Sequence, residues 1–117
     1  MILKNALEQL SQRSKMINAA AIISNDGLIK AELLSADIEP NRFGAMCASL
    51  LSLAKRVTQE ASCGELKLVL LEGTLGTMIV IQISQKGVLA VAAKPEAQMG
   101  RLFIEVRETA QKIAPHL

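Results

Sequence analysis

The segment from Pro40 to Ala61, PNRFGAMCASLLSLAKRVTQEA, constrains this chain more than any other. Its composition predicts one long helix, with Pro40 and Asn41 at its start and Cys63-Gly64 just past its end. Phe43, Met46, Cys47, Leu50, Leu53, Ala54, Val57 and Ala61 recur at the spacing of a helix laid on a core. No charged residue stands between Phe43 and Ala54. A helix covered on one side carries Lys and Glu on the other. Here Ala45, Ala48, Ser49 and Ser52 form a second stripe of small residues, which suits close approach by another helix. An Ala- and Ser-rich surface helix is the plainer alternative. We expect instead a helix sandwiched between its own sheet and a second helix. The chain has no other helix to spare for that place, so the expected partner is a second copy.

The whole chain, residues 1–117, is expected to form a single domain, large enough to bury about two-thirds of its unfolded surface. Aromatic residues make up only 2% of it, Phe43 and Phe103 alone, so stacking on bases or sugars has almost no rings to use. The net charge is +2, and the Lys and Arg residues are scattered, so no nucleic-acid footprint is expected.

Cys47 lies inside the apolar helix, where a thiol acts as a small hydrophobe, and Cys63 lies at its end. Neither has the neighbours of a disulfide framework or zinc site, so we expect reduced thiols, no metal and a cytoplasmic setting. The opening MILKNALEQLSQR is charged and amphipathic, unlike a signal peptide. Apolar runs such as Met78 to Ile81 are far too short to span a bilayer.

Taken in order, the chain opens with a short helix whose Ile2, Leu3, Ala6, Leu7 and Leu10 share a face. Met16 to Ser24 then loses the helical period: Ile17, Ala19, Ala21 and Ile23 would face one side, Ala20 and Ile22 the other. Asn25-Asp26-Gly27 signals a hairpin. Leu28 to Leu34 returns with Lys30 and Glu32 on a wet face and Ile29, Ala31 and Leu33 opposite, as at a sheet edge. Beyond the long helix, strands are expected over Glu65–Glu72, Thr77–Ser84 and Val88–Ala93. Pro95 to Ile113 closes the chain as a helix, with Met99, Leu102, Phe103, Val106, Ala110 and Ile113 inward. Gly100 in its first turn costs about 1 kcal/mol against Ala, which suggests a close contact there. The order is helix-β-β-helix-β-β-β-helix: α+β, a five-stranded antiparallel sheet with helices on both faces.

This succession resembles the roadblock/dynein light chain domain. INAAAIISNDGLIKAELL, the uncharged helix FGAMCASLLSLAKRV, GELKLVLLEGTLGTMIVIQIS and the closing AQMGRLFIEVRETAQKI carry the likeness from about Leu3 to Ile113. The resemblance implies a roadblock/profilin-like sandwich that dimerises. The third strand, near Glu65, Lys67, Leu68 and Val69, would pair with its twin, and the central helices would lie side by side with Ala48, Leu51 and Lys55 near the contact. It also implies a domain without catalysis of its own and with no cofactor, one that regulates or scaffolds Ras-like small GTPases.

The residues themselves agree with that absence of chemistry. His116 stands next to the carboxyl terminus, Ser24 and Ser62 lack any nucleophile motif, and Asp26 belongs to a turn. Gly73-x-x-Gly76 is not followed by the Lys-Ser or Lys-Thr of a phosphate loop. We therefore expect a partner-binding rim at Arg42, Ala45, Ser49, Ser52, Arg56 and Gln59, although any one of these fits an ordinary solvated edge. Two rivals remain. A small-molecule sensor of profilin-like or PAS-like type would need a cavity with converging polar groups, for which Gln82 and Thr77 are the interior candidates. A structural adaptor would bridge larger proteins through its dimer.

Overall fold

The computed structural model describes residues 1–117. Three helices, α1 (Ile2–Arg13), α2 (Pro40–Glu60) and α3 (Met99–Ile113), accompany five strands: β1 (Ile17–Ser24), β2 (Ile29–Leu33), β3 (Leu68–Gly73), β4 (Gly76–Ser84) and β5 (Gly87–Ala93). The sheet is antiparallel throughout, in the order β2-β1-β5-β4-β3, so β2 and β3 are its two edges. The expected α+β sandwich is what the chain forms.

Each face of the sheet supports its own core. On one face α1 and α3 bury Leu7, Leu10, Leu102, Val106 and Ile113 against Ile22, Ile79, Leu89 and Val91. Arg13 of α1 bonds Glu108 of α3 at 2.7 Å and ties these helices together at the rim. On the other face α2 sets Cys47 and Leu51 on Ala21, Ile23, Val80, Val88 and Ala90. Ala21 and Ala90 are directly paired across β1 and β5, and their short side chains let α2 ride low.

The β1–β2 hairpin closes through Asn25-Asp26-Gly27. Gly27 takes φ +88°, its amide donates to the Ser24 carbonyl at 2.9 Å, and the Ser24 amide donates to Leu28 at 2.9 Å. Asp26 does not share the positive φ, so the loop is the three-residue kind that ends in a left-handed glycine. Gly44 of α2 lies against this glycine: a Cβ on Gly44 would fall 2.3 Å from the Gly27 carbonyl oxygen. Two glycines thus bring helix and hairpin backbones together.

The strict alternation expected along β1 and β2 breaks twice. The register shifts between Ile17 and Ala19, which turns Ile17 to the α1/α3 core with Ala20 and Ile22. A second shift pairs Ile22 with Ala31 and Ile23 with Ile29, leaving Lys30 over. Ile29 therefore packs on the α2 core, while Ala31 and Leu33 face the other. One extra residue reverses every side chain beyond it, and period-two reading cannot see it.

Two expected boundaries move by three residues or more, and one expected contact is missing. Glu65 to Lys67 precede β3, although the Lys67 carbonyl accepts from the Gln82 amide at 3.0 Å. Pro95 sits in a turn closed by the Ala97 amide on Lys94, and α3 begins at Met99, capped by Gln98 on the Arg101 amide. Gly100 meets only Gln98 side-chain atoms, at 3.6 Å or more, so no close contact explains it.

Candidate functional site: the unpartnered sides of the central helix

The N-terminus of α2 is set by Glu39, whose carboxylate accepts from the Arg42 amide at 2.6 Å, with Pro40 in the first turn. Its C-terminus is a Schellman turn. The Cys63 amide reaches the Thr58 carbonyl at 2.8 Å and the Ser62 amide reaches Gln59 at 3.1 Å, with Ser62 at φ 58°. Serine takes the left-handed position of this turn, and Gly64 two residues on is also at positive φ, +83°.

Between these caps the helix has four sides. Gly44, Cys47 and Leu51 are buried, with Phe43, Leu50 and Ala54 half-buried beside them. This inward row differs from the expected one. Met46, Leu53 and Val57 are 56, 58 and 56% exposed, about a quarter turn round the axis from Cys47. The sequence pattern merges the two rows because Leu and Met occur in both. Leu51, expected near a second helix, is instead 5% exposed and belongs to the core.

The outer side, opposite Cys47, holds Arg42, Ala45, Ser49, Ser52 and Arg56, all exposed. The remaining flank holds half-buried Ala48 and exposed Lys55 and Gln59. Arg42, Ala45 and Ser49 share one shallow depression with Met46, Leu50 and Leu53. Lys55, Gln59 and Glu65 meet elsewhere, around a pocket with Gln82. The expected rim is thus divided between two places, and Ser52 and Arg56 line neither. Arg42, Lys55 and Arg56 form no salt bridge, so three cations on α2 stand unpaired.

Edge strand β3 carries exposed leucines of its own, one on each face of the sheet. Leu70 and Leu71 are 46 and 41% exposed. Val69 and Met78 pack against the same core as α2, whereas Leu68 packs against the α1/α3 core. Exposed Lys67 and Glu65 stand just before the strand.

The groups weighed for chemistry have structural occupations. The Ser24 hydroxyl accepts from the Leu28 amide at 3.1 Å within the hairpin. Burial pushes the Cys47 thiol up to about 11, far from a nucleophilic thiolate. His116 is exposed in a short 3₁₀ turn after α3. What the surface offers is contact: an apolar helix flank, a free strand edge and a lightly cationic outer face.

Such a fold defines an α+β sandwich of the roadblock/profilin-like class. The Roadblock/LC7 domain profile matches residues 3–93, and the chain belongs to that family. It is 25% identical over 101 residues to the uncharacterized protein MJ1340 of Methanocaldococcus jannaschii, covering 86% of this chain and 88% of that one. The Roadblock/LC7 domain structure from Streptomyces avermitilis superposes with a TM-score of 0.90 at 23% identity, over 99% of this chain and 98% of that one. Myxococcus xanthus MglB superposes with a TM-score of 0.91 at 10% identity, over 97% and 93%. No helix is long and apolar enough to cross a membrane.

Proposed function

We propose that this chain is a non-catalytic cytoplasmic regulator or scaffold of a Ras-like small GTPase, acting as a homodimer through its central helices. One observation carries the reading. Met46, Leu53 and Val57 form an exposed apolar row on a helix without charge from Phe43 to Ala54. Water is a poor neighbour for such a row, and a second copy supplies its match. The free edge of β3, with Leu70 and Leu71 beside it, extends the contact toward the roughly 800 Å² per partner that a stable pair buries. The helix contact therefore moves from Ala48, Leu51 and Lys55 to Met46, Leu50, Leu53 and Val57. Val69, Lys67 and Glu65 remain the strand contribution, with Leu68 beneath it.

The outer side then stays open, and Arg42, Ala45, Ser49, Ser52 and Arg56 are the residues we assign to the GTPase, with Gln59 at the rim. Family membership supports this assignment, as does the likeness to MglB. Light scattering on the wild type should give twice the chain mass, and Leu53→Arg should give the chain mass without unfolding. A wild-type monomer in dilute solution would overturn the pairing. For the partner face, Arg56→Glu should weaken association with the cognate GTPase at least tenfold in calorimetry while Tm stays unchanged. Equal binding by that variant removes this face from the reading, and a stable dimer that binds no GTPase makes the protein an adaptor.

A further inference from the structure

The sheet is covered unevenly on its α1/α3 face. α3 packs over β4 and β5, and α1 over β1 and β2, which leaves β3 at the margin of both. Side chains alternate along β3: Leu68 turns to the α1/α3 core and Val69 to the α2 core. Leu70 therefore projects on the α1/α3 face, where it is exposed, while its ladder partner Ile79 is fully buried. The cover ends within one strand spacing. A cleft of about 400 Å³ marks this step down from helix to strand, with Leu66, Leu68, Ile81, Ile83 and Ala110 in its lining and no carboxylate.

The wall of the step is one flank of α3. The opposite flank is tied to α1, with Glu108 held by Arg13 and Lys112 by Gln9. Buried Glu105 lies on that side too, 3.6 Å from Arg101. Both acids of α3 thus stand on the α1 side. The open flank carries Phe103 and, one turn on, Arg107, whose guanidinium sits 5.8 Å from the ring centroid. Arg107 is exposed and in no salt bridge. β3 itself holds one acid, Glu72, at the strand's far end from the cleft.

Pairing through β3 turns this step into a trough. β3 and its twin form the floor, with Leu70 of each copy upon it, and α3 of each copy forms a wall. The α2 pair lies on the other face and leaves the trough open. Strands stand about 4.8 Å apart, so two α3 axes above β4 and β5 are three to four spacings, about 14–19 Å, from each other. Helices pack with axes about 8–10 Å apart, so one helix between two walls needs about 16–20 Å. One helix fits, and two do not.

We propose that this trough receives a single amphipathic helix of a partner protein, apolar on its buried face and acidic along both edges. Leu68, Leu70 and Phe103 of both copies take the apolar face, and Arg107 of each wall meets a carboxylate on each edge. The proposal rests on the dimer reading, because one copy supplies only half the trough. A partner seated here lies opposite the α2 face, so one dimer joins it to a GTPase without competition.

The test uses the full chain and two helical peptides of about 18 residues, each with leucine along one face. One carries glutamate along both edges, the other lysine. Fluorescence anisotropy should show the glutamate peptide binding with a dissociation constant on the order of 10 μM, one peptide per two chains, and the lysine peptide at least tenfold more weakly. Arg107→Glu changes an exposed residue on α3, away from the strand seam; it should reverse that preference while light scattering still gives twice the chain mass. Leu70→Thr keeps a strand former in β3 and should weaken the glutamate peptide at least tenfold. A dimer that binds neither peptide, binds both alike, or keeps its preference in Arg107→Glu overturns the trough and leaves the dimer standing. A wild-type monomer removes both.

Discussion

Single residues decide how α2 sits. At Gly44 a side chain would collide with the Gly27 carbonyl, which is backbone and cannot step aside. Gly44→Ala should therefore destabilise by about 1–3 kcal/mol in urea unfolding, the usual cost of overpacking. At Gly100 the reverse holds: the site is open, so Gly100→Ala should stabilise by about 0.5–1 kcal/mol, read as a higher urea midpoint. The two glycines look alike in sequence. Only the backbone opposite one of them tells them apart, and that backbone is distant in the chain. Cys47 makes the third case. Burial raises its pKa from 9.0 to about 11, so the fold favours the neutral thiol. The stability this contributes is complete below about pH 9 and is lost as pH rises towards 11. A thiol reagent at pH 8 should accordingly label one cysteine quickly, the exposed Cys63, and the second only in denaturant.

Elements were legible to the degree that they are periodic. α1, α2 and the three turns between strands carry local signals, and each stands within a few residues of its expected place. The bulges at Ile17–Ala19 and at Lys30 carry none, because an inserted residue is defined by its neighbour strand rather than by its own chemistry. The candidate site fared likewise. The absence of charge on α2 was visible, but which of its apolar residues faces inward depends on where the sheet lies. The pocket around Gln82 combines α2, the residues just before β3 and the end of β4, and no local pattern announces it. Edge strand β2 shows a further device. Lys4 of α1 donates to the Glu32 carbonyl at 2.7 Å, and the Glu32 carboxylate accepts from the Leu34 amide at 2.8 Å. Backbone groups near this border are thereby occupied, and the Lys30 bulge adds charge to it. Lys4→Ala combined with Lys30→Val should leave Tm within a few degrees but produce species larger than the wild type on light scattering.

At the scale of the molecule, two edges of one sheet are treated differently. β2 is guarded by Lys4, Lys30 and Glu32, whereas β3 ends in Leu70, Leu71 and an open ladder. Joining two copies at β3 about a two-fold axis yields a ten-stranded slab whose outer borders are both β2. Each border then arrives already stoppered by its own amino-terminal helix. In the proposed pair, growth would halt after a single addition, with Lys4 on the Glu32 carbonyl closing off each outer border.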